Sequence, residues 1–238
     1  MTLFVSDSPV AGPALSVIIP VLHETAGIND LIANIRSVDP GRMAEIIVVD
    51  GDQSGSTINA IRDKDVRTLC GEQGRASQMN RGAAVARGGI LLFLHADTLL
   101  PANAVTLILS KLEDRRVVAG AFDLGFNTKR ALFKITEGYV YLRTRLTRAP
   151  FGDQAIFIRR DYFEMLGNYR EIPLMEDIDL MKRIRKEGGR IAIIPSKVLT
   201  SPRRYEQEGV LYCTFRNWLL QLLYLLGVSP ERLAKWYE

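Results

Sequence analysis

Two short segments, LSVIIP at 15–20 and EIIVVD at 45–50, constrain the fold more than anything else in the chain. Each is an unbroken apolar, β-branched run, the pattern of a strand buried on both faces rather than one with a wet side. Between them Ile28, Leu31, Ile32, Ile35 and Val38 recur at helical spacing. A Gly/Ser turn and a short helix then lead to a weaker strand at 66–70. An alanine-rich helix follows at 75–87, stopped by Gly88-Gly89. The strand ILLFLH occupies 90–95, and Pro101 stands where it would open the next helix. Such alternation predicts an α/β fold, a Rossmann-like, mostly parallel sheet with helices on both faces.

The second half is mixed, so the sheet is too. Strands are expected at 117–126, 155–158 and 190–194, and helices at 131–147 and 176–187. A Pro/Arg-rich loop follows the last strand, and the chain ends in helices. The sequence has no internal repeat, low-complexity tract or linker. A break near 206–209 divides a main domain, 1–205, from a C-terminal helical extension, 206–238, packed on the domain or on a partner chain.

Composition excludes several classes. The 238 residues are 47% hydrophobic and 24% charged, with a net charge of +4, which is ordinary for a globular chain and too weakly basic to imply nucleic acid. Cys70 and Cys213 have no partner spacing, so neither a zinc site nor a disulfide framework is expected, and a cytoplasmic location fits. The N-terminal segment lacks a basic region and carries Asp7, which argues against a signal peptide. The most apolar run, VLYCTFRNWLLQLLYLL at 210–226, is interrupted by Arg216, Asn217 and Gln221 and falls short of the roughly 20 apolar residues of a spanning helix. It reads as a packing helix. Its Trp218 and Tyr224 would suit a homodimer contact, and a membrane-surface contact is the other reading.

In an open parallel sheet, ligands bind beyond the carboxyl ends of the strands. There the chain places His23 and Glu24, then Asp50, then His95 and Asp97, and a later helix opens with Glu176-Asp177. No Walker-type loop or G-x-G-x-x-G follows any strand. Asp50 can accept hydrogen bonds from a base or ribose, or serve as a turn residue. Arg75 opens a helix, where a cation opposes the macrodipole unless it has a ligand to meet. His95 and Asp97 alternate along an extended segment and so share a side. A hard divalent cation can be held by one carboxylate plus phosphate oxygens, which makes Asp97 the expected metal ligand.

SVIIPVLHE at 16–24, IIVVDGDQSGST at 46–57, GRASQMNRGAAVARGGILLFLHADT at 74–98, and FGDQAIFIRRDYF with MEDIDL downstream resemble the family 2 glycosyltransferases, over about residues 15 to 205. LHADT, GDQ and TSPRRYE are more similar to a subgroup, the radical-SAM/selenodomain-associated transferases, which includes arsenosugar-biosynthesis enzymes. The resemblance implies a GT-A fold and inverting transfer from a nucleotide sugar, by default a UDP-sugar. It implies that Pro20, Glu24 and Asp50 contact the donor nucleoside and that His95-Ala96-Asp97 replaces the family's D-x-D. The histidine there could keep a ribose contact or shift the cofactor from magnesium towards manganese. Glu176-Asp177 matches the acidic pair near the acceptor.

In a single displacement the acceptor hydroxyl needs a base and the departing diphosphate needs positive charge. Asp177 is the expected base, with Glu176 next. Arg203 and Arg204 would close over the diphosphate. Gly152, Asp153 and Gln154 would meet the acceptor, a small or lipid-linked hydroxyl compound. Two other functions remain open. One is a haloacid-dehalogenase-like phosphatase using Asp50 and Asp52, and the other is a protein that binds a nucleotide sugar without turnover.

Overall fold

Alternation along the first two strands decides both faces of the sheet. In β1 (Leu15–Val21), Val17, Ile19 and Val21 enter one core while Ile18 enters the other. In β2 (Ala44–Asp50), Ile46 and Val48 face the first core, and Ile47 and Val49 the second. Side chains of period two that are apolar on both sides require cover above and below. The computed structural model describes residues 12–237, so the segment around Asp7 that bears on a signal peptide lies outside the described residues.

The first core is covered by α1 (Ile28–Val38), α3 (Ala104–Lys111) and α4 (Leu132–Thr147). The second is covered by α2 (Arg75–Val85), α5 (Arg160–Met165) and α6 (Glu176–Lys186). The remaining strands are β3 (Arg67–Cys70), β4 (Ile90–Phe93), β5 (Thr98–Leu99), β6 (Val117–Phe126), β7 (Ile156–Arg159) and β8 (Arg190–Thr200). Eight strands form one sheet in the order β3-β2-β1-β4-β7-β6-β8-β5. β1, β2, β3 and β4 pair in parallel, as do β6 and β8. β7 runs antiparallel to both its neighbours, and β5 runs antiparallel to β8.

Three expectations need correction. The helix after β5 begins at Ala104, not at Pro101, because β5 is still paired with β8 and the Leu100 N–H donates to Asn34 Oδ1 at 2.8 Å, which keeps the chain extended. The last strand runs on past Ile194 to Thr200, with an irregularity in its pairing to β6 that absorbs Pro195. The expected loop at Arg203-Arg204 is a helix, α7 (Arg203–Glu208), started after Pro202 and ended by Gly209 at φ 96°. α8 (Val210–Leu225) and α9 (Pro230–Tyr237) follow at once. Their Leu220 and Leu233 pack with Met175 and Ile178 of the α6 region in a third cluster, so these helices lie against the acidic start of α6.

The turn between α2 and β4 is packed tightly on β1. A Cβ on Gly88 would stand 2.6 Å from the Leu15 carbonyl carbon and 2.7 Å from the Ser16 nitrogen. Neither backbone atom can move without breaking β1–β2 pairing. Gly88→Ala is therefore expected to destabilise the fold by about 1–3 kcal/mol in urea unfolding. Wild-type stability would mean that this turn can lift off the sheet.

Candidate active site

The carboxyl ends of β1, β2 and β4 define one edge of the sheet, and a crevice with two lobes opens there. The first lobe, about 380 Å³ and within the range of small-molecule sites, is bounded by Pro20, Glu24, Gly74 and Gln78. The second, about 200 Å³, is bounded by Phe151, Gly152, Asp153, Asp177, Arg204 and Tyr205. Arg75, His95, Asp97, Leu174, Glu176 and Tyr237 border both lobes. Asp97 and Asp177, far apart in sequence, thus open onto the same space.

Each wall has a local cause. The β5–β8 pairing, with the Thr98 hydroxyl donating to Thr200 Oγ1 at 3.2 Å, places residues 97 and 201 side by side, and the Ser201 N–H donates to the Asp97 carbonyl at 3.0 Å. Met175, at φ 70°, turns the chain sharply so that Glu176 and Asp177 occupy the first turn of α6 facing the crevice. The Gly152 N–H donates to Asp177 Oδ2 at 2.7 Å and fixes that carboxylate. Gly152 has no room for a side chain, since a Cβ there would lie 2.6 Å from His95 Nε2.

The electrostatics are crowded. Glu176 is 4% exposed, and burial together with neighbouring Asp177 raises its pKa; Arg75 Nη1, 3.4 Å from Oε1, opposes the rise. Desolvation raises Asp177, against the N–H groups of Gly152 and Ile178. Burial pushes Asp153 up to about 6, with Arg143 opposing and Asp177 adding to the rise. Desolvation in the crevice wall and then Glu24 raise Asp97, which makes no ion pair among the described residues. His95 is pushed down to about 3 by burial and by Arg75, so its imidazole is neutral at neutral pH, and its buried Nε2 has no hydrogen-bond partner.

Among the described residues no three His, Cys, Asp or Glu side chains gather as a metal site. Asp97 offers a single uncompensated carboxylate, so a hard cation here would draw its other ligands from phosphate oxygens and water, which suits a divalent ion held jointly with its ligand. The His95 Nε2 is packed against Gly152, which leaves that atom poorly placed for an ion.

Three expected site residues do not line the crevice. Asp50 is fully buried; its Oδ1 accepts from the Asp52 N–H and its Oδ2 from the Thr57 and Ile58 N–H groups, so its carboxylate is committed to the loop after β2. That burial also removes the nucleophile of the phosphatase reading, and Asp52 is occupied by Ser54. Gln154 is fully buried, bonded to Arg143, Thr144, the Phe151 N–H and the Phe122 carbonyl, and supports the floor from behind. Arg203 stays at the rim, donating to Glu24 Oε1 at 3.2 Å.

Sequence reasoning missed Tyr205, Asn217 and Tyr237. Asn217 left a signal, a polar residue inside an apolar helical run, and its amide donates to Tyr205 Oη at 3.4 Å. Tyr205 lies inside TSPRRYE, where only the arginines are singled out, and Tyr237 left no signal. Arg204 stacks over the Tyr237 ring at 3.9 Å, joining the last helix to the crevice wall.

Asp153 generates a test with a definite sign. Its folded pKa near 6 exceeds the usual 3.8, so the charged form costs native stability, increasingly as pH rises from 3.8 to 6 and fully above that. Asp153→Asn should raise stability at pH 8 by about 1–3 kcal/mol and leave it unchanged at pH 3.5, as read by chemical unfolding. An equal effect at both pH values would remove burial as the cause.

The profile of glycosyl transferase family 2 matches residues 16–173. The chain is 25% identical over 223 residues to "Probable glycosyltransferase YdaM" of Bacillus subtilis (strain 168), covering 82% of this chain and 51% of that protein. It therefore spans about half the length of the curated relative it matches. Its fold is similar to the mannosyltransferase PcManGT from Pyrobaculum calidifontis, solved in complex with GDP-Man and Mn2+, with TM-score 0.68, 22% identity, and coverage of 94% of this chain and 67% of that one. It is also similar to S. aureus TarS, with TM-score 0.61, 14% identity, and coverage of 92% and 41%. The fold is the GT-A α/β architecture.

Proposed function

The chain belongs to glycosyl transferase family 2, and we propose that it transfers a sugar from a nucleoside diphosphate sugar to an acceptor hydroxyl with inversion at the anomeric carbon. The carrying observation is that Asp97 and Asp177 border one crevice with Arg75, His95 and Arg204 around them. The lobe at Pro20, Glu24, Gly74 and Gln78 receives the nucleoside, and the lobe at Gly152, Asp153 and Tyr205 receives the acceptor. LHADT, GDQ and TSPRRYE support placing it with the radical-SAM/selenodomain-associated transferases. The free thiols of Cys70 and Cys213 suit the cytoplasm.

Asp177 accepts the acceptor proton as its oxygen attacks. An environment that raises a carboxylate makes it a stronger base while it remains ionised. The Gly152 N–H holds it in place. As the bond to the diphosphate breaks, Arg75 and Arg204 face the growing negative charge. A divalent cation held by Asp97 and the diphosphate oxygens would add charge at the same point. Manganese and a mannose donor are supported by the ligands of the Pyrobaculum structure, and a uridine donor by the family resemblance.

Asp177→Asn should lower kcat about a hundredfold or more while leaving the donor affinity nearly intact. In the wild type, kcat/KM should fall as pH drops, with the acid limb above the ordinary carboxylate range because burial raises Asp177. Undiminished turnover in the variant would discard Asp177 as base. A thermal-shift panel of UDP- and GDP-sugars with Mg2+ or Mn2+ should show a metal-dependent rise, worth about 2.7 kcal/mol at a hundred times Kd. Asp97→Ala should abolish the metal-dependent part, and equal shifts in both proteins would remove Asp97 as the ligand.

A further inference from the structure

We propose that the outer face of α8 docks on an anionic membrane surface. The observation is where the exposed large apolar side chains fall. Leu211, Phe215, Trp218, Leu222 and Leu225 of α8 are all exposed, between 38% and 62%. Their spacing i, i+4, i+7, i+11, i+14 makes one continuous stripe. Leu226, just beyond the helix, extends it at 73% exposure. The neighbouring α4, tied to α8 by a Thr136–Thr214 hydroxyl bond of 2.9 Å, exposes Ile135, Leu142 and Leu146 at its own helical spacing. Scattered single apolar residues are ordinary, but a helix-long stripe beside a second one is not.

Charge selects the occupant. α8 carries one charged residue, Arg216, and it is turned inward onto Glu208. In the segment 129–148, Lys129, Arg130, Lys134 and Arg148 are exposed and Arg145 is half-buried, while Arg143 is buried behind the crevice floor; the one acid, Glu137, is buried and held by Lys134 and Lys197. Glu206 and Asp123 offset Arg130 and Arg145, but α4 and α8 carry no exposed carboxylate of their own, so the flank keeps a net positive charge. A second copy of the chain meeting this face across a two-fold axis would bring the two basic flanks together. Acidic headgroups around an apolar bed satisfy both features at once. Tyr212 and Trp218 of α8 add aromatic rings with polar tips that favour a membrane–water boundary. No described helix is long and apolar enough to cross a membrane, so the contact is one that lies on the surface.

The placement deepens the functional reading without depending on it. Asn217 and Leu220, on the inner side of α8, line the second lobe of the crevice. The docked helix would stand between the bilayer and the acceptor lobe, within reach of an acceptor hydroxyl on a lipid.

Cosedimentation with phosphatidylcholine vesicles, with and without about a third phosphatidylglycerol, tests the docking in the absence of any nucleotide sugar. Wild type is expected in the pellet with anionic vesicles, less with neutral ones, and less at high salt. Phe215→Glu with Leu222→Glu should weaken partitioning about tenfold or more, while Met165→Glu, at an exposed apolar site elsewhere, should leave it unchanged. If the double variant melts abnormally, Leu226→Gln with Leu211→Gln serves in its place. Wild type remaining in the supernatant overturns the proposal, as does equal partitioning of variant and wild type. A stable dimer that ignores vesicles and is dissociated by the same substitutions would assign the face to a second copy instead. Donor-induced melting shifts of the variants are read separately and report only on the nucleotide-sugar reading.

Discussion

Four carboxyl groups, Asp97, Asp153, Glu176 and Asp177, share one crevice with Arg75 and Arg204 on its wall and Arg143 behind the floor. In water such groups would ionise independently; desolvated and close together, like charges repel and every charged form is disfavoured. Desolvation raises all four, and like charge adds to it at Glu176 and Asp153 through Asp177 and at Asp97 through Glu24. A fold that keeps them together sacrifices native stability at this edge and must recover it elsewhere, here in two apolar cores on opposite faces of an eight-stranded sheet. An anionic ligand entering alone would worsen the imbalance. One that arrives with a divalent cation corrects it, since only Glu176 of the four has an ion-pair partner, Arg75.

Holding that arrangement requires few devices, each a backbone one. Met175 in the left-handed region sets the start of α6, the Gly152 amide grips Asp177, and a β5–β8 rung sets Asp97 beside Ser201. Backbone groups fixed by the sheet cannot relax when charge moves, so the site is organised before any ligand arrives. The absence of a side chain at Gly152 is part of the same design, because it lets the amide approach both Asp177 and the His95 ring.

The central strands were legible because burial on both faces leaves no freedom in composition, and LSVIIP and EIIVVD can be little else. Helix ends were less so. Pro101 carries a valid start signal, yet the strand pairing of Thr98–Leu99 and the Asn34 bond override it. Within the site, the sequence places polar residues at strand ends, but their individual directions are not written in it. Asp50 and Asp97 both follow buried strands; one turns back onto its own loop amides and the other faces the crevice. Gln154 sits one position from Asp153 and points behind the wall instead of into the cavity. Tyr205 and Tyr237 reach the crevice through packing of the final helices, which no local pattern announces.

The apolar run at 210–226 shows how one segment can meet three demands. Its polar interruptions are not spread at random around the helix: Arg216 is drawn in by Glu208, Asn217 bonds Tyr205 at the crevice, and Gln221 is buried. Leu220, beside them, joins Met175 and Ile178 at the acidic start of α6. The inner side of the helix is therefore committed, partly to the domain and partly to the acceptor lobe. What remains, from Leu211 to Leu226, faces outward and is apolar throughout, with no described residue covering it. The residues that disqualify this run as a membrane-spanning helix are the same ones that fasten it to the site, and fastening them inward is what leaves an uninterrupted apolar stripe on the outside.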